Sequence, residues 1–315
     1  MAYNVLITCP QLMKTVDQYR PMFANHDVEI ALPEMEQQLS EVKLLEIIDQ
    51  YDGVIAGDDP FTARVLEKGT LLKTVARWGV GVDGVDLDAA KRLGISVTNT
   101  PGVFSDEVAD VVMGYVILLA RGLHKLDTSI RDGGWLKISG TTLAGKTIGV
   151  VGVGNIGRAV VDRSIAFGMK PLGYDVYPPP TDFVERTGTK MVGLDELLAS
   201  ADFISLNCNL TPENRRMLGA DQFASMKDGV FIVNCSRGAL IDESALVEFL
   251  GSGKIAGAGL DSFENEPLPL DSELRRFDNC IFGTHNGSNT IEAVLRVNEL
   301  TIANLFRGLG IATEE

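Results

Sequence analysis

Thr147-Ile148-Gly149-Val150-Val151-Gly152-Val153-Gly154-Asn155-Ile156-Gly157 is the stretch whose reading decides the fold. Its first five residues suit a short buried strand. The glycines at 152, 154 and 157 follow at once, and an apolar helical run continues to Phe167. Pro171-Leu172-Gly173-Tyr174 then reads as a second strand, ending on Asp175. Each glycine has a physical task. Gly152 permits the tight turn out of the strand, Gly154 lets the backbone approach a pyrophosphate, and Gly157 lets the helix pack close on the strand. The pyrophosphate would rest on the amides around Gly154, Asn155 and Ile156, at the positive end of the helix. Asp175 lies 18 residues past Gly157, where a carboxylate can accept hydrogen bonds from ribose hydroxyls. Glycines alone would also suit a ligand-free turn. The strand before, the helix after and the terminal acid favour a dinucleotide. NAD is indicated over NADP, because Asp175 would repel a 2′-phosphate and the next basic residue is Arg186.

Outward from this stretch, strands and helices alternate, which argues an α/β chain with parallel sheets covered on both faces. Upstream, Val5–Ile7, Val28–Leu32, Gly53–Ala56, Thr74–Ala76 and Ile95–Thr98 read as strands, with helices over Glu34–Asp49 and Leu87–Leu93. A hinge is expected near Thr100, and Ser105 is expected to cap a long apolar helix reaching Arg121. Downstream, 147–151, 170–174, Phe203–Leu206, Val230–Val233, Gly257–Leu260 and Cys280–Phe282 make a second set of six strands. The amphipathic stretch Thr290–Arg307 lies beyond that set and is expected to return to the first domain.

The 315 residues suffice for two domains. A net charge of −15 argues against nucleic acid or an anionic membrane as partner. Four dispersed cysteines, without a Cys/His cluster, fit a reduced cytoplasmic chain and no metal site. The start lacks the basic and apolar regions of a signal peptide. The run Val108–Ala120 contains Asp110 and is too short to span a bilayer.

Three segments follow strands of the second set: Val233-Asn234-Cys235-Ser236-Arg237-Gly238, Asp261-Ser262-Phe263-Glu264-Asn265-Glu266-Pro267, and Gly283-Thr284-His285-Asn286-Gly287-Ser288. In a doubly wound sheet the carboxyl ends of strands face the ligand crevice, so the three can converge. An arginine can clamp a substrate carboxylate with two hydrogen bonds. A histidine can exchange a hydroxyl proton near neutral pH, and an adjacent carboxylate fixes its tautomer. Taken singly, Arg237 also fits a helix cap or a pair with Asp242, Glu266 a solvated loop acid, and His285 a structural loop histidine.

Together these motifs resemble the D-isomer-specific 2-hydroxyacid dehydrogenase family. The resemblance runs from Arg77-Trp78-Gly79-Val80-Gly81-Val82-Asp83 through Asn99-Thr100-Pro101-Gly102, the glycine fingerprint, Cys235-Ser236-Arg237-Gly238 and Phe263–Pro267 to the His285 loop. It implies two Rossmann-like domains: a doubly wound NAD-binding domain over 101–287 and a smaller flavodoxin-like substrate domain from 1–100 and 288–315, with catalysis in the cleft between them. It implies Arg237, Glu266 and His285 as the catalytic trio, with Arg237 on the carboxylate and keto oxygen and His285 as acid or base beside Glu266. It further implies substrate contacts from the Gly79-Val80-Gly81 backbone, Asp261 on the nicotinamide carboxamide, and Asn207 and Cys235 bordering the cofactor. The segment Asp127–Ala144 resembles the family's dimer-forming arm, so a homodimer is expected.

The chain departs from the family pattern at Asn207-Cys208-Asn209, where His-x-Pro is common, and at Thr284, where Pro often precedes the histidine. Arg77 matches an arginine that phosphoglycerate dehydrogenases use near the substrate phosphate, or else makes a surface ion pair. Gly57-Asp58-Asp59 places two acids where those enzymes often have another arginine, which would repel a phosphate. No regulatory domain follows Glu315, so serine-inhibited control is not expected. The expectation is an NAD-dependent oxidoreductase moving a hydride between nicotinamide and a D-2-hydroxy or 2-keto acid. The alternatives are a D-3-phosphoglycerate dehydrogenase and an NAD-sensing corepressor that binds protein partners.

Overall fold

Apolar, β-branched runs form the strands. The first five are β1 (Tyr3–Ile7), β2 (Val28–Ala31), β3 (Gly53–Ala56), β4 (Thr74–Arg77) and β5 (Ser96–Thr98). The next seven are β6 (Thr147–Val151), β7 (Lys170–Tyr174), β8 (Lys190–Met191), β9 (Phe203–Leu206), β10 (Val230–Asn234), β11 (Ile255–Leu260) and β12 (Cys280–Phe282). The computed structural model describes residues 2–35 and 37–312. The chain divides into two units, one holding the residues up to Val103 and from Asn289 on, the other spanning Phe104–Ser288.

In the first unit the sheet order is β2-β1-β3-β4-β5, all pairs parallel. This is the flavodoxin-like arrangement, with its switch point between β1 and β3. The terminal helix Ile291–Leu309 starts on Thr290, whose hydroxyl accepts from the Ala293 amide, and packs on β3 and β4. Asn298 on that helix accepts a 2.7 Å hydrogen bond from the Trp78 indole.

In the second unit the order is β12-β11-β10-β9-β6-β7-β8, again all parallel. The strand direction of travel reverses between β6 and β9, which puts the ligand crevice outside their carboxyl ends. Neighbouring residues on one strand feed opposite faces: Ile232 joins one apolar cluster and Val233 the other. Helices cover both faces, so the strands read as continuous apolar runs without polar alternation.

Several expectations need correction. The division between the two units falls after Val103, three residues past Thr100, which is itself buried with its amide on Gly79 O at 2.9 Å. The helix expected from Glu34 begins only at Glu41 and ends at Ile47, because Ser40 caps it by accepting from the Lys43 amide; Glu36 lies outside the described residues. Ser105 is the first helical residue of Ser105–Arg121, and Phe104 holds the cap position without a side-chain bond. β8 is an additional, seventh strand of two residues, too short to leave a pattern in the sequence. No described helix is long and apolar enough to cross a membrane.

Candidate active site

The glycine fingerprint turns out of β6 into the helix Asn155–Ala166. Gly152 has φ +90°, and a Cβ there would lie 2.5 Å from the Cys208 amide nitrogen. The first glycine is therefore required both by torsion and by the close passage of the Asn207–Cys208 backbone after β9. A Cβ on Gly157 would run into the Gly152 carbonyl oxygen, whereas one on Gly154 would meet nothing within 4 Å. Gly154 caps the helix without a side-chain bond, so the first-turn amides face open space and need a partner from outside the helix. Asn155 and Gly154 are exposed there. These features fit a dinucleotide pyrophosphate.

Asp175, at the end of β7, has one carboxylate oxygen on the Val153 amide (2.7 Å) and the other on the Tyr177 amide (2.9 Å). The acid thus ties the fingerprint turn to the end of β7 and keeps further lone pairs for ribose hydroxyls. Arg186, the next cation along the chain, is engaged by Asp162 through two bonds of 2.7 and 3.1 Å. Asn207 continues the β9 edge with its amide on Val151 O, and its side chain bonds Ser205. Burial, with a smaller contribution from the Asp261 charge, raises the Cys235 thiol well above its ordinary range.

The residues after β10, β11 and β12 form one connected structure. His285 Nδ1 lies 2.8 Å from Glu266 Oε2, with both side chains largely buried. The other Glu266 oxygen accepts from the Phe263 amide at 2.9 Å, closing a short turn that aims the carboxylate. Pairing at Nδ1 leaves Nε2 as the nitrogen for proton exchange. Arg237 follows β10; its carbonyl accepts from Asn234 Nδ2 (2.9 Å) and its guanidinium donates to Ser236 O (3.1 Å). Asp242, the acid nearest to it along the chain, caps the helix Glu243–Gly251. Gly238 packs so tightly on the Phe263–Glu264 peptide that a Cβ would collide with it. The arginine segment and the Glu266 turn are thereby held together.

Asp261 anchors the loop that carries His285. Its carboxylate is 3% exposed and accepts from the amides of Asn286 (3.1 Å) and Gly287 (2.8 Å), while its carbonyl accepts from the His285 amide (2.7 Å). His285 sits at φ +54°, a left-handed conformation that disfavours a side chain by about 1–2 kcal/mol. Asp261 holds the loop in that conformation. Burial raises its pKa, against lowering by the two amides and the His285 charge.

In the first unit, Arg77 ends β4 and is buried, so it is not a surface ion pair. Its guanidinium donates to the Asp58 carboxylate and to the Trp78 carbonyl. Asp59 is turned inward: it accepts from the Leu39 amide (2.7 Å), the Gly57 amide (3.1 Å) and the Thr8 hydroxyl. Of the two acids expected to repel a phosphate, only Asp58 meets Arg77. The Gly79 and Val80 carbonyls are held by the Thr100 amide (2.9 Å) and Asn99 Nδ2 (2.7 Å). Among the described residues, no acceptor takes the amides of Val80 and Gly81.

Sequence reasoning missed two supporting residues. Asn234 is fully buried and braces Arg237; a polar residue closing an apolar strand was the available signal. Glu243 accepts from the Glu264 amide at 2.6 Å, and nothing in the sequence separates it from an ordinary first-turn helix acid.

Comparison with known proteins agrees with this architecture. Residues 113–287, more than half the chain, match the family described as D-isomer specific 2-hydroxyacid dehydrogenase, NAD binding domain. The hydroxypyruvate reductase of Thermotoga maritima is 42% identical over 282 residues, covering 87% of this chain and 90% of the relative. A D-3-phosphoglycerate dehydrogenase of Methanocaldococcus jannaschii is 43% identical over 269 residues, but this chain covers only 51% of its length. The crystal structure of D-lactate dehydrogenase from Aquifex aeolicus complexed with NAD and lactic acid superposes with a TM-score of 0.87 at 28% identity, covering 98% of this chain and 95% of that one. The chain belongs to the D-isomer-specific 2-hydroxyacid dehydrogenases and is an NAD-dependent oxidoreductase of D-2-hydroxy acids and their 2-keto counterparts.

Proposed function

We propose that this enzyme reduces small, unphosphorylated 2-keto acids of the glyoxylate and hydroxypyruvate class. The observation that carries the substrate class is the ion pair of buried Arg77 with part-buried Asp58. Arg77 is already neutralised, so a substrate phosphate would have to displace Asp58 and leave a carboxylate beside it, which is repulsive. The 42% identity to a hydroxypyruvate reductase supports the same reading.

In the proposed roles, Arg237 clamps the substrate carboxylate and polarises the keto oxygen. His285 donates a proton from Nε2 to that oxygen, and Glu266 stabilises the imidazolium before transfer. NADH, when bound, supplies the hydride to C2. Gly152, Gly154, Asn155, Ile156, Gly157 and Asp175 would hold it, with Asn207 and Cys235 bordering it. Residues 101–287 then act as the NAD-binding domain, and 1–100 with 288–315 as the substrate domain. In the latter the Gly79-Val80-Gly81 amides suit a carboxylate. The helix Leu123–Arg131 has no buried residue, and Trp135 beyond it is 79% exposed. These exposed groups support a homodimer, and the four free cysteines suit a reduced, cytoplasmic setting.

The test follows NADH absorbance with glyoxylate, hydroxypyruvate, pyruvate and 2-ketobutyrate, with 3-phosphoglycerate plus NAD run alongside. Turnover of a small keto acid without 3-phosphoglycerate is expected, and Asp58→Asn should raise activity on the phosphorylated substrate. Wild-type turnover of 3-phosphoglycerate would favour the second reading, a D-3-phosphoglycerate dehydrogenase, which the Methanocaldococcus jannaschii relative supports.

A further inference from the structure

We propose that Glu243 is a positioning residue for this enzyme: by accepting the Glu264 amide it fixes the turn that aims Glu266 at His285. The inference rests on the proposed roles of Glu266 and His285. Glu243 opens the helix Glu243–Gly251, where an acid ordinarily serves its own helix dipole. Here Asp242 supplies the cap, accepting from the Ala245 amide at 3.1 Å. The Glu243 carboxylate instead reaches across 21 residues of sequence to the Glu264 amide, at 2.6 Å.

The peptide it holds is a junction. The Phe263–Glu264 bond lies against Gly238, the residue after Arg237. The Phe263 amide on its near side donates to Glu266 Oε1, and Glu266 Oε2 meets His285 Nδ1. Displacing this one peptide would shift the acid's partner and the arginine's segment together.

The surroundings make the placement unfavourable for anything but a specific anchor. Glu243 is half-buried near Asp242, Glu264 and Glu266, and Arg216 pairs with Glu264 (3.1 Å) and Asp242 (3.7 Å). Burial and the charges of Glu264 and Glu266 raise the Glu243 pKa, against lowering by the Glu264 amide. A charge-assisted bond to a backbone amide is the favourable interaction that offsets this. Its strength falls when the carboxylate is protonated, so the anchor weakens as pH drops through the raised pKa.

The test compares Glu243→Ala, Glu243→Gln and His285→Ala on hydroxypyruvate, with kcat and NADH affinity measured across pH. Glu243→Ala should lower kcat by about 10–10²-fold, the scale of a 1 Å displacement in a catalytic group, with NADH affinity unchanged. Glu243→Gln keeps an acceptor oxygen and should recover most of that loss near neutrality, while flattening the acid side of the profile. Equal losses in both variants, or none in either, would overturn the proposal. If the alanine variant does not fold, an unaltered acid limb in Glu243→Gln overturns it, and a flattened one supports it. Full activity of His285→Ala would instead remove the proposed trio, a separate outcome.

Discussion

Asp261→Asn separates two tasks that one carboxylate could perform. The carboxylate accepts from two loop amides, Asn286 at 3.1 Å and Gly287 at 2.8 Å, in a site 3% exposed. An asparagine offers one acceptor oxygen, so its NH2 must face one of those amides. One buried donor is left unmatched, which costs about 1–3 kcal/mol. That loss equals or exceeds the roughly 1–2 kcal/mol by which His285 resists its left-handed conformation. The loop should relax and the imidazole shift. A displacement near 1 Å corresponds to about a 10²-fold fall in kcat. The assay is steady-state NADH oxidation with hydroxypyruvate, with NADH affinity from nicotinamide fluorescence. Loop anchoring predicts a lower kcat with NADH affinity held. Weakened NADH binding with kcat unchanged would refute that reasoning and return Asp261 to the nicotinamide carboxamide. Stability gives a second readout. The raised folded pKa lies above the unfolded value of about 3.9. The stability it contributes is therefore full below about pH 4 and is lost as pH rises through the folded value. The gap in unfolding free energy between wild type and Asp261→Asn should be widest in acid and narrow as pH rises.

Asp175→Ala should remove the proposed ribose acceptor and its repulsion of a 2′-phosphate; losing hydrogen bonds to a charged group at about 1.5–3 kcal/mol each should weaken NAD at least tenfold and relax the rejection of NADP. An unmoved NAD/NADP ratio of kcat/KM would sink the ribose assignment. Burial pushes the Cys208 thiol up to about 11, with a further contribution from the Asp175 charge. At pH 8 its alkylation by iodoacetamide should run about 10²-fold slower than that of a free thiol with pKa near 8.5. Rapid labelling would contradict that environment.

The sheets were legible because buried parallel strands must be continuous apolar runs, and β3, β6, β7, β9 and β12 begin and end where those runs do. Elements governed by single side chains were harder. Ser40 decides where the helix Glu41–Ile47 starts, and the acid-rich approach to it reads as helix until that hydroxyl is seen on the Lys43 amide. At the site, the three strand-end segments stood out by residue type. Contact between Glu266 and His285, 19 residues apart, depends on β11 and β12 being neighbours, which a parallel order permits. The direction in which a carboxylate turns is set by tertiary amides and leaves no trace in sequence. Asp261 facing the 285–287 loop, Asp59 facing inward and Glu243 reaching Glu264 all belong to that class. Asp58 and Asp59 were alike as neighbours in sequence and differ only because one meets Arg77 and the other meets Leu39, Gly57 and Thr8.

The most direct measurement follows NADH absorbance with hydroxypyruvate for wild type and His285→Ala, with NADH binding titrated in parallel. The expected result is a kcat lower by about 10²–10⁴-fold, the range for losing a general acid, with NADH binding retained. Wild-type turnover by the variant would contradict the assignment of His285 as the proton donor and, with it, the proposed chemistry of the site.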